Sequence, residues 1–173
     1  MKIIRSVLLL LTCAILFACA QADLNVGSTA PDFTLTDSQG RQHTLSKYQG
    51  KYVVLEWFNK DCPFVKKHYG SGNMQKLQKK YTGKNVIWLT IISSAEGKQG
   101  YLTPQEALEL PKKNNMVPSA LLLDPSGKVG KKYNAKTTPH MFVINPQGKI
   151  KYMGAIDDNP STDPADIPAA KNY

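Results

Sequence analysis

The sequence predicts an α/β fold in one domain. Short apolar runs, such as residues 52–58 and 86–92, alternate with segments in which apolar residues recur at the helical period. The sequence has no internal repeats and no low-complexity tracts. An alternation of strand-like and helix-like segments is typical of a sheet covered by helices.

Segment 1–22 has the pattern of a secretory signal peptide. Lys2 and Arg5 precede an apolar run over residues 7–18, and a small-residue cleavage site ends at Ala22. The apolar run is too short to span a membrane. We therefore expect an exported protein, located in a bacterial periplasm.

Cleavage at this site would leave a mature chain with a single cysteine. It would remove Cys13 and Cys19, and the chain that begins at Asp23 would contain only Cys62. No disulfide could then form within the chain.

A lipid-anchored form is the alternative to soluble export. Residues 16–19 resemble a bacterial lipoprotein box, in which Cys19 becomes a lipidated first residue and attaches the chain to the membrane. Phe17 is unusual at its position in such a box, so we favour soluble export. A buried structural helix over residues 1–22 is disfavoured because this segment lacks a polar face.

The chain is basic, with a formal net charge of +9 at pH 7. Lys2 and Arg5 are the only charged residues among the first 22, so residues 23–173 have a formal net charge of +7. Their length suits one domain with a sizeable core. The lysines are scattered and no basic stripe is interleaved with aromatic residues, so we expect a solvated surface and no nucleic-acid partner.

The domain begins with a predicted β-hairpin followed by a central strand. Residues 33–36 and 42–45 flank a turn over residues 37–40. Residues 52–58 follow a second turn at 49–51, and their nearly continuous apolar character favours a strand buried on both faces.

A helix is predicted to begin at Pro63, because proline is well tolerated in the first helical turn. Phe64, Val65 and His68 are expected to share one face of it. Residues 70–72 interrupt the pattern, which predicts a kinked helix or two helical pieces. The pattern is resumed by Met74, Leu77 and Tyr81.

The second half of the domain completes the sheet. Residues 103–106 form a capping-box pattern that opens a helix through Leu110. Further strands are predicted over residues 86–92, 120–123, 141–145 and 150–153, the last two being joined by a hairpin turn at 146–148.

The domain is expected to span residues 23–158, and residues 159–173 form a tail. Aspartates and prolines dominate this end of the chain and oppose regular structure, which predicts a loop. They are Asp157, Asp158, Pro160, Asp163, Pro164, Asp166 and Pro168.

Four pieces of sequence carry a family resemblance. They are residues 30–35, the strand that leads into Cys62-Pro63, the Thr138-Pro139 pair, and the hairpin over residues 142–149. Together they resemble the redoxin, or AhpC/TSA-like, branch of the thioredoxin superfamily, nearest to exported peroxiredoxin-like and thiol-disulfide oxidoreductase-like proteins. The resemblance runs from about residue 30 to residue 158.

The resemblance implies a thioredoxin-like fold, with a mixed central sheet, helices on both faces and the N-terminal β-hairpin as an extension. It places the thiol of Cys62 at the N-terminus of the first long helix and a cis peptide bond at Pro139 opposite. Relatives usually carry a further C-terminal helix, so we expect either that this helix is dispensable or that the chain is truncated before it. A missing helix would expose apolar area and favour self-association.

The function implied is that of a thiol oxidoreductase, with Cys62 as the catalytic residue. Unpaired N–H groups and the positive end of the helix dipole favour thiolate over thiol, and Lys60, Lys66 and Lys67 should add positive potential. Cys62 could instead be a small buried apolar residue. The polar residues before it argue against burial.

Departures from the family patterns limit this chemistry. Val65 stands where the C-x-x-C motif has its second cysteine, so an external thiol must regenerate Cys62 after it attacks a disulfide. Leu55 and Asn59 replace the proline and threonine of the peroxiredoxin pattern P-x-x-x-T-x-x-C. We therefore expect at most slow oxidation of Cys62 to a sulfenic acid by peroxides.

Five residues are predicted to support Cys62: Lys60, Pro63, Thr138, Pro139 and His140. By the resemblance, Pro139 holds the backbone of Thr138 against an extended substrate. His140 could face Cys62 as a base or point away, since side chains alternate along a strand. We expect His68 to be half-buried in its helix and His43 to lie at the surface.

No cofactor or metal is predicted. One cysteine with at most one nearby histidine provides too few ligands for a tight copper site, and phosphate-binding glycine loops and hydrolase motifs are absent. The competing function is a non-catalytic module of the same fold that binds an extended peptide or a partner protein, with Cys62 incidental.

Overall fold

A computed structural model describes residues 24–173. The predicted signal peptide, with Cys13 and Cys19, lies outside the described residues. Seven strands form one sheet: β1 Thr34–Asp37, β2 Gln42–Thr44, β3 Val53–Trp57, β4 Ile87–Ile92, β5 Ala120–Leu123, β6 His140–Ile144 and β7 Ile150–Gly154. The α-helices are α1 Pro63–Gly70, α2 Asn73–Thr82, α3 Pro104–Lys113 and α4 Lys128–Lys132, with short 3₁₀ helices at Leu45–Tyr48 and Pro164–Ala169.

The sheet is mixed, as expected, with the strand order β2-β1-β5-β4-β3-β6-β7. Strands β3, β4 and β5 are parallel, whereas β6, β7, β1 and β2 pair antiparallel with their neighbours. The predicted N-terminal hairpin is β1–β2. The predicted central strand is β3, which is buried along its whole length between β4 and β6.

Successive side chains of β3 point to opposite faces of the sheet, so the strand contributes to the hydrophobic core on both faces. Val53, Leu55 and Trp57 belong to a cluster that also contains Val129 of α4. Val54 belongs to a cluster on the opposite face with Met74 of α2. A third cluster, with Val65 of α1 and Ala107 of α3, extends the covered area near the carboxyl end of β3.

The interruption in the first long helix produces two helices. Helix α1 ends at Gly70, and α2 begins after Gly72, whose φ of +74° lies in the left-handed region that glycine adopts readily. Val65 and His68 are buried, but Phe64 is 39% exposed. The prediction that Phe64 shares their face is therefore wrong, because at the start of α1 its side chain turns outward.

Three short elements were not predicted: the 3₁₀ helix at Leu45–Tyr48, helix α4 and the 3₁₀ helix in the tail. Helix α4 is only one turn long and its N-cap residue is Gly127. The first turn is held from outside the helix by Asp124, whose Oδ2 accepts hydrogen bonds from the N–H groups of Val129 and Gly130. The tail contains a 3₁₀ helix over Pro164–Ala169, capped by Asp163, where a loop was expected. Within residues 24–173, no helix has both the length and the apolar character needed to cross a membrane.

Candidate active site

Cys62 lies at the point where β3 gives way to α1. Its N–H donates to the carbonyl oxygen of Asn59 at 3.1 Å, which closes a turn, and its own carbonyl accepts from the N–H of Lys66 at 3.0 Å. Cys62 is the N-cap residue of α1 and Pro63 follows within its first turn. The thiol therefore lies at a helix N-terminus, as the sequence predicts.

The Cys62 thiol faces the loop that precedes β6. Sγ donates a hydrogen bond to the carbonyl oxygen of Thr138 at 2.9 Å, and the Thr138–Pro139 peptide bond is cis. Cys62 is half-buried. Three of the predicted site residues, Cys62, Thr138 and Pro139, are thus adjacent in the structure.

Helix α1 keeps two N–H groups free at this end. The side chain of Cys62 makes no capping hydrogen bond, and within the part of the chain that the structure describes, the N–H groups of Phe64 and Val65 have no acceptor. These are the second and third helical positions, from which an N-cap side chain receives hydrogen bonds. A thiolate at Cys62 can therefore gain two donors that the thiol does not use.

The lysines around Cys62 supply less positive charge than expected. Lys60 Nζ lies 2.9 Å from Asp61 Oδ2, and the hydrogen bond from Lys60 lowers the pKa of Asp61. Lys67 is buried and its Nζ lies 3.2 Å from Asp157 Oδ2. The prediction that all three lysines add free positive potential is therefore wrong for Lys60 and Lys67, because each is neutralised by a carboxylate; Lys66 is exposed.

His140 lies on the face of the sheet opposite α1. It pairs with Trp57 in the register of β3 and β6, and its ring packs on Phe142, with the ring centroids 4.7 Å apart. Among residues 24–173, its Nδ1 is buried without a hydrogen-bond partner, and burial lowers the pKa of His140, with a smaller effect from Lys136. Of the two orientations left open by the sequence, the structure has the one that points away from Cys62.

The other histidines also differ from expectation. His68 is fully buried, and its Nδ1 accepts from Asn73 Nδ2 at 2.9 Å. His43 is not a free surface residue: Nδ1 lies 2.6 Å from the hydroxyl of Tyr48, and Nε2 lies 3.0 Å from Asp37 Oδ2. Both are held in hydrogen-bonded clusters that the sequence pattern does not reveal.

Glu56 is a buried acid that the sequence interpretation overlooked. Its side chain lies beneath α1 and α2 with no exposed surface. Its carboxyl group accepts hydrogen bonds from four residues, Tyr69, Gln78, Trp88 and Thr90. An acid within the apolar run of β3 was the visible signal, because charged residues are rarely fully buried without partners.

The turn before Cys62 is held by a second segment that sequence reasoning missed. Asn59 Oδ1 accepts from the N–H of Asp61 at 2.9 Å, and Asp61 Oδ2 accepts from the N–H of Gly100 at 3.1 Å. A Cβ atom at Gly100, whose φ is +81°, would overlap the side-chain amide of Asn59. The loop that contains Gly100 therefore lies directly against the turn.

A groove runs from the Thr138–Pro139 loop to the C-terminal tail. Its volume is about 450 Å³. Its lining is mainly apolar and includes Phe64, Thr138, Pro139, Ile156, Pro160 and Tyr173. Within residues 24–173, no three His, Cys, Asp or Glu side chains are grouped so that they could hold a metal ion.

Comparisons with known proteins agree with this architecture. The chain is 29% identical over 157 residues to the thiol-disulfide oxidoreductase ResA of Geobacillus thermodenitrificans, covering 86% of this chain and 84% of the relative. It is 29% identical over 135 residues to the chloroplastic peroxiredoxin Q of Oryza sativa subsp. japonica, covering 73% of this chain and 57% of the relative.

A solved structure shows the same fold. The pneumococcal exposed lipoprotein thioredoxin Etrx1 of Streptococcus pneumoniae superimposes with a TM-score of 0.59 at 22% identity, covering 78% of this chain and 95% of the other. The fold is therefore thioredoxin-like. Residues 26–153 match the model of the AhpC/TSA family, and the chain belongs to that family.

Proposed function

We propose that the chain is an exported thiol-dependent oxidoreductase in which Cys62 is the single reactive group. The observation that carries this proposal is the position of Cys62 Sγ at the N-terminus of α1, 2.9 Å from the carbonyl oxygen of Thr138. The similarity to a thiol-disulfide oxidoreductase supports this chemistry.

Formation of the thiolate exchanges one hydrogen-bond partner for others. The thiol donates to the carbonyl of Thr138, which cannot stabilise an anion. After deprotonation, a rotation of the side chain lets Sγ accept from the free N–H groups of Phe64 and Val65, which also lie at the positive end of the helix dipole. The helix terminus is therefore the main source of activation, because Lys60 and Lys67 are paired with carboxylates.

In the proposed reaction, the Cys62 thiolate attacks one sulfur of a substrate disulfide. A bond forms between Sγ and that sulfur, the substrate S–S bond breaks, and the second sulfur leaves as a thiolate that takes a proton from water. An external thiolate then attacks the mixed disulfide, releases Cys62 and keeps the substrate half in a new disulfide. The external thiol is required because Val65 replaces a resolving cysteine.

The remaining predicted site residues have supporting roles in this proposal. Thr138 and Pro139 hold an extended substrate beside the thiol, and Pro63 fixes the start of α1. Lys60 acts through Asp61 on the turn that carries Cys62. His140 has no direct role, since it lies across the sheet.

Peroxides are the second proposed substrate class, at a lower rate. The similarity to peroxiredoxin Q favours this activity, whereas Asn59 in place of threonine opposes it. The O–O bond would break as Cys62 becomes a sulfenic acid, and two external thiols would return it to the thiol while forming their own disulfide.

The first test is the rate of iodoacetamide alkylation across a pH series, with Cys62→Ser as the blank. We expect the Cys62 thiol to react faster at neutral pH than a model cysteine peptide does. A rate at or below that of the peptide, or a thiol that reacts only after denaturation, would leave the non-catalytic binding module as the function.

Export is tested by the mass of the chain recovered from the expressing bacterium. Loss of residues 1–22 supports soluble export. A chain that begins at Cys19 and carries lipid supports the anchored alternative.

A further inference from the structure

The last three residues of the sequence, 171–173, form an extended segment with one isolated β-bridge, which we call the C-terminal strap. Asn172 forms an antiparallel bridge with Asp157. The N–H of Tyr173 donates to the carbonyl of Ile156 at 3.1 Å, and the N–H of Asp158 donates to the carbonyl of Lys171 at 3.2 Å. The strap therefore pairs with residues 156–158 through one antiparallel bridge and its two flanking hydrogen bonds.

Side-chain hydrogen bonds also hold the strap in place and favour an amide side chain at position 172. Asn73 Nδ2 donates to Asn172 Oδ1 at 2.9 Å, and Asn172 Nδ2 donates to Asn73 Oδ1 at 3.3 Å. The N–H of Lys171 donates to Asp158 Oδ1 at 2.8 Å. An amide side chain at the central position of the strap thus finds a reciprocal amide partner.

The two sides of the pairing differ in burial. Lys171, Asn172 and Tyr173 are all exposed, whereas Ile156, Asp157 and Asn73 are buried. An element with few buried apolar contacts and exposed hydrogen bonds opens at low free-energy cost. The strap can therefore leave while the edge formed by residues 156–158 and Asn73 stays in place.

An empty edge would present unsatisfied polar groups. The carbonyl of Ile156 and the N–H of Asp158 would lose their protein partners, and the amide of Asn73 would lose both hydrogen bonds to Asn172 and keep only the one to His68 Nδ1. Such a set of groups is the recognition surface for an added β-strand, in which main-chain hydrogen bonds give affinity and a side-chain pocket gives specificity.

We infer that residues 156–158 and Asn73 form a binding edge for an extended peptide that carries an amide side chain, and that the C-terminal strap occupies this edge until such a peptide displaces it. The edge is continuous with the groove that Tyr173, Asp157, Thr138 and Pro139 line. A peptide seated there extends toward the loop that faces Cys62.

The test uses the full chain and a labelled peptide with the sequence of residues 168–173, Pro-Ala-Ala-Lys-Asn-Tyr. Binding is followed by NMR at the backbone amide of Asp158. Asn172→Ala weakens the strap, so we expect it to tighten binding of the added peptide about tenfold relative to the unmodified chain. Because the peptide contains no cysteine, this binding is independent of the thiol chemistry proposed for Cys62.

Two controls separate the edge from general effects. The double variant Asn73→Ala with Asn172→Ala should bind the peptide no more tightly than the unmodified chain does, because the Asn73 amide that would hydrogen-bond the peptide is gone. Thr162→Ala, an exposed change in the same tail, should bind as the unmodified chain does. Equal affinity of the unmodified chain and Asn172→Ala, or no shift at Asp158 in either, would overturn the inference.

Hydrogen exchange provides a test that needs no variant. The amides of Tyr173 and Asp158 should exchange much faster than those of β6, through opening of the strap alone. Exchange of these amides only at the rate of global unfolding would show that the strap does not open, and the inference would be wrong.

Discussion

The hydroxyl of Tyr69 donates a 2.6 Å hydrogen bond to Oε1 of Glu56 and thereby ties helix α1 to the centre of the sheet. Tyr69 also accepts from Gln78 Nε2 at 2.9 Å, which leaves its own proton for Glu56. The helix whose first turn carries Cys62 is thus anchored at its other end by a buried acid.

Removal of the Glu56 carboxyl group should be strongly destabilising. Glu56→Ala leaves the donors of Trp88 and Thr90 buried without an acceptor, and we expect the free energy of unfolding to fall by about 3 kcal/mol. Glu56→Gln keeps one oxygen for these donors and should cost clearly less. Urea unfolding measures both, and equal losses would contradict this account.

The same residue predicts a dependence of stability on pH. Burial raises the pKa of Glu56, against opposing hydrogen bonds from Tyr69, Trp88, Thr90 and Gln78. The folded protein then binds more protons than the unfolded chain, so the free energy of unfolding falls as pH rises from the unfolded pKa through the folded one. Unfolding over a pH series should show this fall in the unmodified chain, and the fall should be smaller in Glu56→Gln.

Lys67 is expected to be essential to the fold, although lysine is usually a surface residue. Lys67→Met leaves the carboxylate of Asp157 buried without its cation, which should cost about 3–5 kcal/mol. Asp157→Asn added to this variant should recover much of the loss, because it removes the uncompensated charge. Lys66→Met, an exposed change on the same helix, serves as the control and should cost little.

Asp37 should stabilise the hairpin at neutral pH and cease to do so in acid. Partial burial raises its pKa, but hydrogen bonds from His43, Arg41 and Gln39 outweigh this effect and lower the value to about 2. A lowered pKa gives stability that is present above the unfolded value of 3.8 and is lost as pH falls toward 2. Asp37→Asn should be less stable at neutral pH and show a flatter acid transition in thermal unfolding.

Gly100→Ala is expected to disturb the turn that positions Cys62. The added Cβ overlaps the Asn59 side chain, whereas a Cβ at Gly97, which has a φ of +72°, meets open space. Both substitutions pay for the left-handed backbone, so their difference isolates the clash, about 1–3 kcal/mol. Gly100→Ala should also change the alkylation rate of Cys62, and Gly97→Ala should not; identical rates would argue against this coupling.

Elements with local signals were predictable from the sequence. The β1–β2 hairpin follows from its turn residues, and α3 begins with the capping box between Thr103 and Glu106. The apolar run of β3 indicated a central strand. In each case the deciding interactions lie within a few residues of one another.

What the sequence could not provide depends on distant contacts. The burial of Lys67 requires Asp157 from the far end of the chain, and the direction of His140 depends on its register with Trp57. Helix α4 has no apolar period of its own and forms around Asp124. For the same reason the positive charge near Cys62 was overestimated, since the lysines were visible in the sequence but their carboxylate partners were not.

Val65 is only 2% exposed and packs among the side chains that face α3. Val65 occupies the position of the second cysteine in a C-x-x-C motif. Among the described residues, no neighbouring thiol can therefore attack and resolve the mixed disulfide that Cys62 is proposed to form. The unmodified protein would then act as its own substrate trap, of the kind usually made by mutating a resolving cysteine. Partners captured in its native compartment should be recoverable as mixed disulfides on non-reducing gels, and each would identify a substrate directly.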